Sequence, residues 1–256
     1  MDELLELDGV SKSFGGVDAV SDFSLAVSEG EVVGLMGPNG AGKTTLFNLI
    51  SGALDADKGK VAFDGSSLRG LGPHSRVALG ISRTFQISRP FPQMTVGENV
   101  MAGALFGRGR SSQGEASAAV RELLGFVSLL EKRDRPAGSL TLAEQRRLEL
   151  ARALATAPRL LMLDEVMAGL GPAERGPMVD LIRRVGSERG LAMIISEHVV
   201  DAVTSLCRRL VVMDRGAKLA EGETGEVLRS RAVAEVYLGG AYPIGGRPPA
   251  PLESRA

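Results

Sequence analysis

Residues Gly37-Pro38-Asn39-Gly40-Ala41-Gly42-Lys43-Thr44-Thr45 satisfy the pattern G-x-x-x-x-G-K-[ST], which constrains this chain more than any other feature. The pattern needs a strand before it and a helix after it. Val32-Val33-Gly34-Leu35-Met36 is an apolar run that reads as a buried strand. Leu46, Leu49 and Ile50 follow at helical spacing, so Thr44 is expected to open a helix. In such a unit the glycines let backbone N–H groups turn toward phosphate oxygens, and the helix N-terminus adds the positive end of its dipole. Lys43 reaches the terminal phosphates, and the Thr44 hydroxyl is a ligand for Mg²⁺. The expected ligand is ATP or GTP. A glycine-rich turn with an incidental lysine is the weaker alternative, because both flanking elements are present.

At 256 residues the chain is long enough for one substantial core with a subdomain. Thirty Lys and Arg against 31 Asp and Glu leave a net charge of −1, which argues against a nucleic-acid binder driven by bulk charge. A single cysteine, Cys207, cannot form an internal disulfide, which fits a reducing cytoplasm. The start, Met1-Asp2-Glu3-Leu4-Leu5-Glu6, is acidic and lacks the features of a signal peptide. No run approaches the ~18 apolar residues of a membrane helix. Any membrane role is therefore expected to come through a partner.

Strands are expected at residues 5–10, 23–27, 32–36 and 60–63, with turns at Gly15-Gly16, Glu29-Gly30 and Asp64-Gly65. Residues 76–79 suggest a helix end and residues 81–86 a strand. From about residue 88 to 158 the character is helical, with Val120, Leu123, Leu124, Val127 and Leu130 on one face. The polar stretch 107–114 is expected to be a mobile loop. Further strands are expected at 160–163, 192–195 and 210–213, and a helix through Met178, Leu181, Ile182 and Val185. The tail from Tyr242 holds Pro243, Pro248, Pro249 and Pro251 and is expected to be disordered.

The strand at 160–163 runs into Asp164-Glu165, placing two carboxylates at the C-terminal edge of a buried strand beside the phosphate loop. Asp164 is expected to hold Mg²⁺ through water, and Glu165 to polarise an attacking water. A strand end followed by acidic loop residues is the bland alternative.

With these motifs in that order, residues 4–240 resemble the ATP-binding subunits of ABC transporters. The resemblance implies an α/β fold: a P-loop NTPase core sheet, an N-terminal antiparallel β subdomain and an inserted helical subdomain at about 88–158. It implies one ATP-binding domain over 1–240, with 241–256 as the tail. It also implies roles. Phe14 stacks on adenine. Gln86, ending Arg83-Thr84-Phe85-Gln86, touches Mg²⁺ and water and couples to the membrane subunit. His198 contacts the γ-phosphate.

Residues Thr141-Leu142-Ala143-Glu144 align with the family signature, whose helix N-terminus faces the γ-phosphate on an opposite subunit. Leu142 and Ala143 stand where the family has glycines, and Glu144 where it has glutamine. The same residues read as a capping box. Ala168-Gly169-Leu170-Gly171 has glycine where aspartate is usual, and Val166 replaces a usual proline. These departures bear on hydrolysis more than on binding.

Phe14-Gly15-Gly16, Arg83-Thr84-Phe85-Gln86, Arg146-Arg147-Leu148-Glu149, Ala168-Gly169-Leu170 and Glu235-Val236-Tyr237-Leu238-Gly239 resemble the branched-chain amino acid importers. That resemblance implies an ATPase energising uptake through separate permease subunits. It also implies a second ATPase chain, identical or paralogous, and an extracytoplasmic binding protein. The location it implies is cytoplasmic, peripheral on the inner face of the membrane. An ABC ATPase of a lipid exporter or soluble assembly system, or a low-turnover regulatory module, remains the alternative.

Overall fold

The computed structural model describes residues 3–84, 90–108 and 112–238. A hairpin opens the chain, β1 (Glu3–Phe14) and β2 (Val17–Ser28), with both strands longer than expected. Its two-residue turn, Gly15-Gly16, has φ of 55° and 86°, as a tight hairpin matching the strand twist requires. Register shifts between Leu7 and Val10 and again before Lys12 put the two sides of the ladder out of phase. Alternation of apolar and polar residues therefore breaks while the strands continue, which is why the pattern stops short at residue 10.

β3 (Val32–Met36), α1 (Lys43–Ser51), β4 (Lys58–Phe63), β5 (Ser66–Ser67), α2 (Pro73–Leu79) and β6 (Ile81–Arg83) follow. Between β6 and β7 (Leu160–Asp164) the chain forms α3 (Val96–Phe106), α4 (Gln113–Phe126) and α5 (Leu142–Ala155). The remainder is α6 (Pro172–Arg189), β8 (Ala192–Ser196), α7 (Val200–Leu206), β9 (Arg209–Asp214), β10 (Ala217–Glu223), α8 (Thr224–Arg229) and α9 (Arg231–Leu238).

Among the described residues there are two sheets. One is antiparallel, in the order β2-β1-β4-β5. The other runs β10-β9-β3-β8-β7-β6 and is parallel except for β10 at its edge. The parallel strands are buried on both faces, so they read as continuous apolar runs. Leu160 and Met162 of β7 enter a core with Phe23 and Phe47, while Leu161 and Leu163 enter the core under α3–α7.

Several expectations change. α4 ends at Phe126, and Ser128 at φ 58° turns the chain, so Leu129 is buried in place of Leu130, which is 41% exposed. The polar stretch 107–114 is partly helical, because Ser112 and Glu115 form a capping box that starts α4 at Gln113. α1 begins at Lys43, one residue before Thr44. β10, Ala-Lys-Leu-Ala-Glu-Gly-Glu, lacks the branched and aromatic residues that signal a strand, and its pairing with β9 makes it one. Gln86 and the tail from residue 241 lie outside the described residues.

Candidate functional site

β3, β8, β7 and β6 lie side by side and parallel, so their C-terminal ends share one edge of the sheet. Crevices at that edge are where open α/β sheets bind ligands. Met36 ends β3 and delivers the phosphate loop, Asp164 ends β7, and Glu197 and His198 leave β8.

The loop 37–45 is tightly sited. A Cβ added to Gly42, at φ 104°, would lie 2.3 Å from the Ala19 carbonyl oxygen of β2, so only glycine allows this approach. Ala41 N–H bonds the Pro38 carbonyl at 3.1 Å, and the Ala41 carbonyl accepts from Gly216 N–H at 2.9 Å. Asn39, Gly40 and Thr44 are exposed, and Thr45 is half-buried in the first turn of α1. Lys43 is 9% exposed, and its ammonium donates to the Gly37 and Pro38 carbonyls at 2.6 and 3.1 Å. Burial lowers its pKa from the usual lysine value, against the opposing pull of the Glu165 and Asp164 charges. Those carboxylates therefore face the lysine across the crevice.

Asp164, 2% exposed, pairs with the Arg83 guanidinium at 2.6 Å. Arg83 also donates to Asn48 Oδ1 at 2.6 Å, and its guanidinium carbon lies 5.3 Å from the Phe47 ring centroid. Glu165 has φ 48°, uncommon for a residue with a side chain, and its N–H bonds the Ser196 carbonyl at 2.8 Å. Such a conformation persists only where its surroundings impose it. His198 is exposed just past β8.

Phe14 is 47% exposed at the hairpin tip and is no core residue. Lys12 Nζ lies 5.7 Å from its ring centroid. The same hairpin brings Ala19 against Gly42, so the aromatic ring stands on the element that overhangs the phosphate loop.

Thr141 caps α5 in a complete capping box with Glu144. One Glu144 oxygen accepts from Thr141 N–H at 3.1 Å and the other from Lys132 Nζ, which holds the carboxyl below its usual range, the Lys132 bond being the larger cause. Ala143 packs against the helical core, and Leu142 lies against Gly169. These residues thus adjoin the loop after Glu165. Gly171 caps α6, and Glu174 Oε2 accepts from its N–H at 2.9 Å, supplying a carboxylate next to the glycine where aspartate is usual.

Two buried charges beside the site were not assigned from sequence. Arg83 is part of a sequence motif, but its pairing with Asp164 follows from β6 lying beside β7, which no local pattern in the sequence signals. Glu197, 1% exposed, accepts from Met167 N–H at 2.9 Å. Burial pushes its carboxyl from 4.5 up to about 7, with the nearby Glu165 charge adding to the rise. Between pH 4.5 and 7 the folded chain keeps a proton that the unfolded chain releases, so this residue's contribution to stability falls as pH rises through that window. Glu197→Gln cannot ionise and should be more stable than the parent at pH 8 by roughly 3 kcal/mol, the gap shrinking toward pH 5. Denaturant unfolding at both pH values checks this, and an equal gap at both would refute it.

The chain matches the ABC transporter family over residues 20–168, and it belongs to that family. It is an ABC ATPase that binds nucleotide. It is 38% identical to the high-affinity branched-chain amino acid transport ATP-binding protein BraF of Pseudomonas aeruginosa, over 93% of this chain and 98% of that one. It is 36% identical to LivG, of the same description, from Salmonella typhimurium, with the same coverage. Among solved structures it resembles the ADP conformation of an ATP-binding cassette of an ABC transporter, with a TM-score of 0.83 at 32% identity, covering 93% of this chain and all of that one. No helix among the described residues is long and apolar enough to cross a membrane.

Proposed function

We propose that this chain is the ATP-hydrolysing subunit of an importer for branched-chain amino acids or a related small solute, working on separate permease subunits. The observation that carries the reading is the convergence of residues 37–45, Asp164, Glu165 and His198 on one sheet edge, in a chain 36–38% identical to transport proteins of that description. Loop amides and Lys43 hold the phosphates, Phe14 stacks on the adenine, His198 contacts the γ-phosphate and Glu165 orients the attacking water.

The oxygen donors fit Mg²⁺. Thr44 presents a hydroxyl in the first turn of α1, and Asp164 a carboxylate whose pairing with Arg83 suits ligation through water. Gln86 would complete the set. Among the described residues no group of three or more His, Cys, Asp or Glu could cage a metal, so nucleotide phosphates would supply ligands as well. Bound there, the ion neutralises phosphate charge.

The permease would dock at a groove of about 460 Å³ between the β6 edge and helices α3 and α5. Thr84, Phe91, Gly103, Arg152 and Thr156 help to line it, and the Arg152 guanidinium carbon lies 4.9 Å from the Phe91 ring centroid. The isolated chain is expected to hydrolyse ATP slowly and to be stimulated by its permease. Phosphate release with and without the permease tests this, and full activity alone would favour a soluble assembly role.

The altered signature is expected to be competent when it caps a partner's nucleotide. Glu144 is turned back onto the helix N-terminus and paired with Lys132, and Ala143 is partly buried against the helical core, so neither side chain is free to oppose an incoming phosphate. Ala143→Gly with Glu144→Gln should therefore bring no gain in turnover at the site it caps, and should cost about 1 kcal/mol of helix stability. Turnover measured separately at each site of the assembled pair decides. A clear gain in the double variant would mean this signature is the slower one.

A further inference from the structure

Glu197 takes no part in the chemistry assigned above, yet it is buried beside it. One carboxyl oxygen accepts from Met167 N–H at 2.9 Å, and the His198 backbone N–H and the Arg146 charge also favour the ionised carboxyl. Burying a carboxyl is costly, and a group kept at that cost calls for an explanation. Its partner suggests one. Met167 follows Glu165 by two residues, in the loop that crosses from β7 to α6.

Several bonds among the described residues tie that loop to its surroundings. Glu165 N–H bonds the Ser196 carbonyl at 2.8 Å, and Ala168 N–H closes a turn onto the Glu165 carbonyl at 3.0 Å. On the far side Arg146 Nη2 of α5 donates to the Ala168 carbonyl at 3.3 Å. Two consecutive residues at the end of β8, Ser196 and Glu197, therefore hold Glu165 and the second residue beyond it. Between these ties Glu165 keeps its φ of 48°. A backbone of that kind relaxes when the contacts that impose it are removed.

We propose that Glu197 is a positioning residue for ATP hydrolysis: its carboxyl oxygen holds the Met167 amide and so fixes the turn that aims Glu165. The proposal rests on the reading of Glu165 as the residue that orients the attacking water. Since His198 follows directly, one strand exit then sets the positions of both groups. Most of the proposed nucleotide contacts come from the loop 37–45, α1 and the β1–β2 hairpin, which Glu197 does not touch. His198 adds a single contact to the γ-phosphate, so affinity depends on Glu197 far less than alignment does. The neutral carboxyl favoured by burial keeps its carbonyl oxygen as acceptor, so an amide can replace it.

The test compares Glu197→Ala and Glu197→Gln in the full chain, with Glu165→Gln alongside. Phosphate release is measured at saturating Mg·ATP, affinity with a fluorescent ATP analogue, and the thermal midpoint for each. Glu197→Ala should lose about tenfold to a hundredfold in kcat with affinity changed less than about twofold, as expected for lost alignment. Glu197→Gln, whose amide oxygen still accepts from Met167, should keep at least about half of kcat. Parental kcat in Glu197→Ala overturns the proposal, as does an equal loss in both Glu197 variants. So does a joint fall of kcat, affinity and thermal midpoint in Glu197→Ala, which marks a structural role. Should Glu165→Gln hydrolyse normally, the reading of Glu165 itself fails, whatever the Glu197 variants do.

Discussion

Glu165→Gln should bind ATP at least as tightly as the parent chain and release phosphate at about 10²-fold to 10⁴-fold lower rate, the span expected when a general base is lost. The side chain leaves a turn pinned to Ser196, and glutamine fits that turn without changing its backbone bonds. What it loses is the negative charge that pulls on the water as attack begins, an interaction realised in the transition state and not in the ground state. Removing the charge also removes repulsion against the γ-phosphate, so an ATP-bound pair of chains should accumulate. Phosphate release, nucleotide affinity and sedimentation in ATP are the measurements. Turnover near the parental rate would refute the assignment of Glu165.

Lys43→Ala should have the opposite signature, with ATP affinity falling by roughly 100-fold, because charged hydrogen bonds to ground-state phosphates contribute about 1.5–3 kcal/mol each. In the structure this ammonium rests on the Gly37 and Pro38 carbonyls and faces Asp164 and Glu165. Its loss leaves two carboxylates beside the incoming phosphates with less opposing charge. The fold should survive, since those carbonyls sit in the loop and not in the core. Equilibrium binding of a fluorescent ATP analogue and the thermal midpoint check both parts. Near-parental affinity would remove Lys43 from the site.

Much of this arrangement is legible along the chain. The phosphate loop is specified by its own residues: an apolar strand, glycines that admit Ala19 at 2.3 Å from a would-be Cβ, and a helix that starts at Lys43. The Thr141–Glu144 capping box is equally local, and both of its bonds are present. β7 and β8 announce themselves as apolar runs because both their faces are buried. Signals weaken where phase or composition fails, as in the bulged β1 ladder and in β10.

The sequence by itself thus determined the local units: which segment turns its amides outward, which strand ends in carboxylates, which helix begins with a cap. Tertiary structure decided what those units meet. Arg83 reaches Asp164 across 81 positions because β6 pairs with β7. Glu197 reaches Met167 across 30 because β8 lies on the other side of β7. Periodicity and capping act within a few residues, whereas strand order is set by how the whole chain buries both faces of its sheet. No local pattern carries that order, and in this protein it is the order that gathers the site.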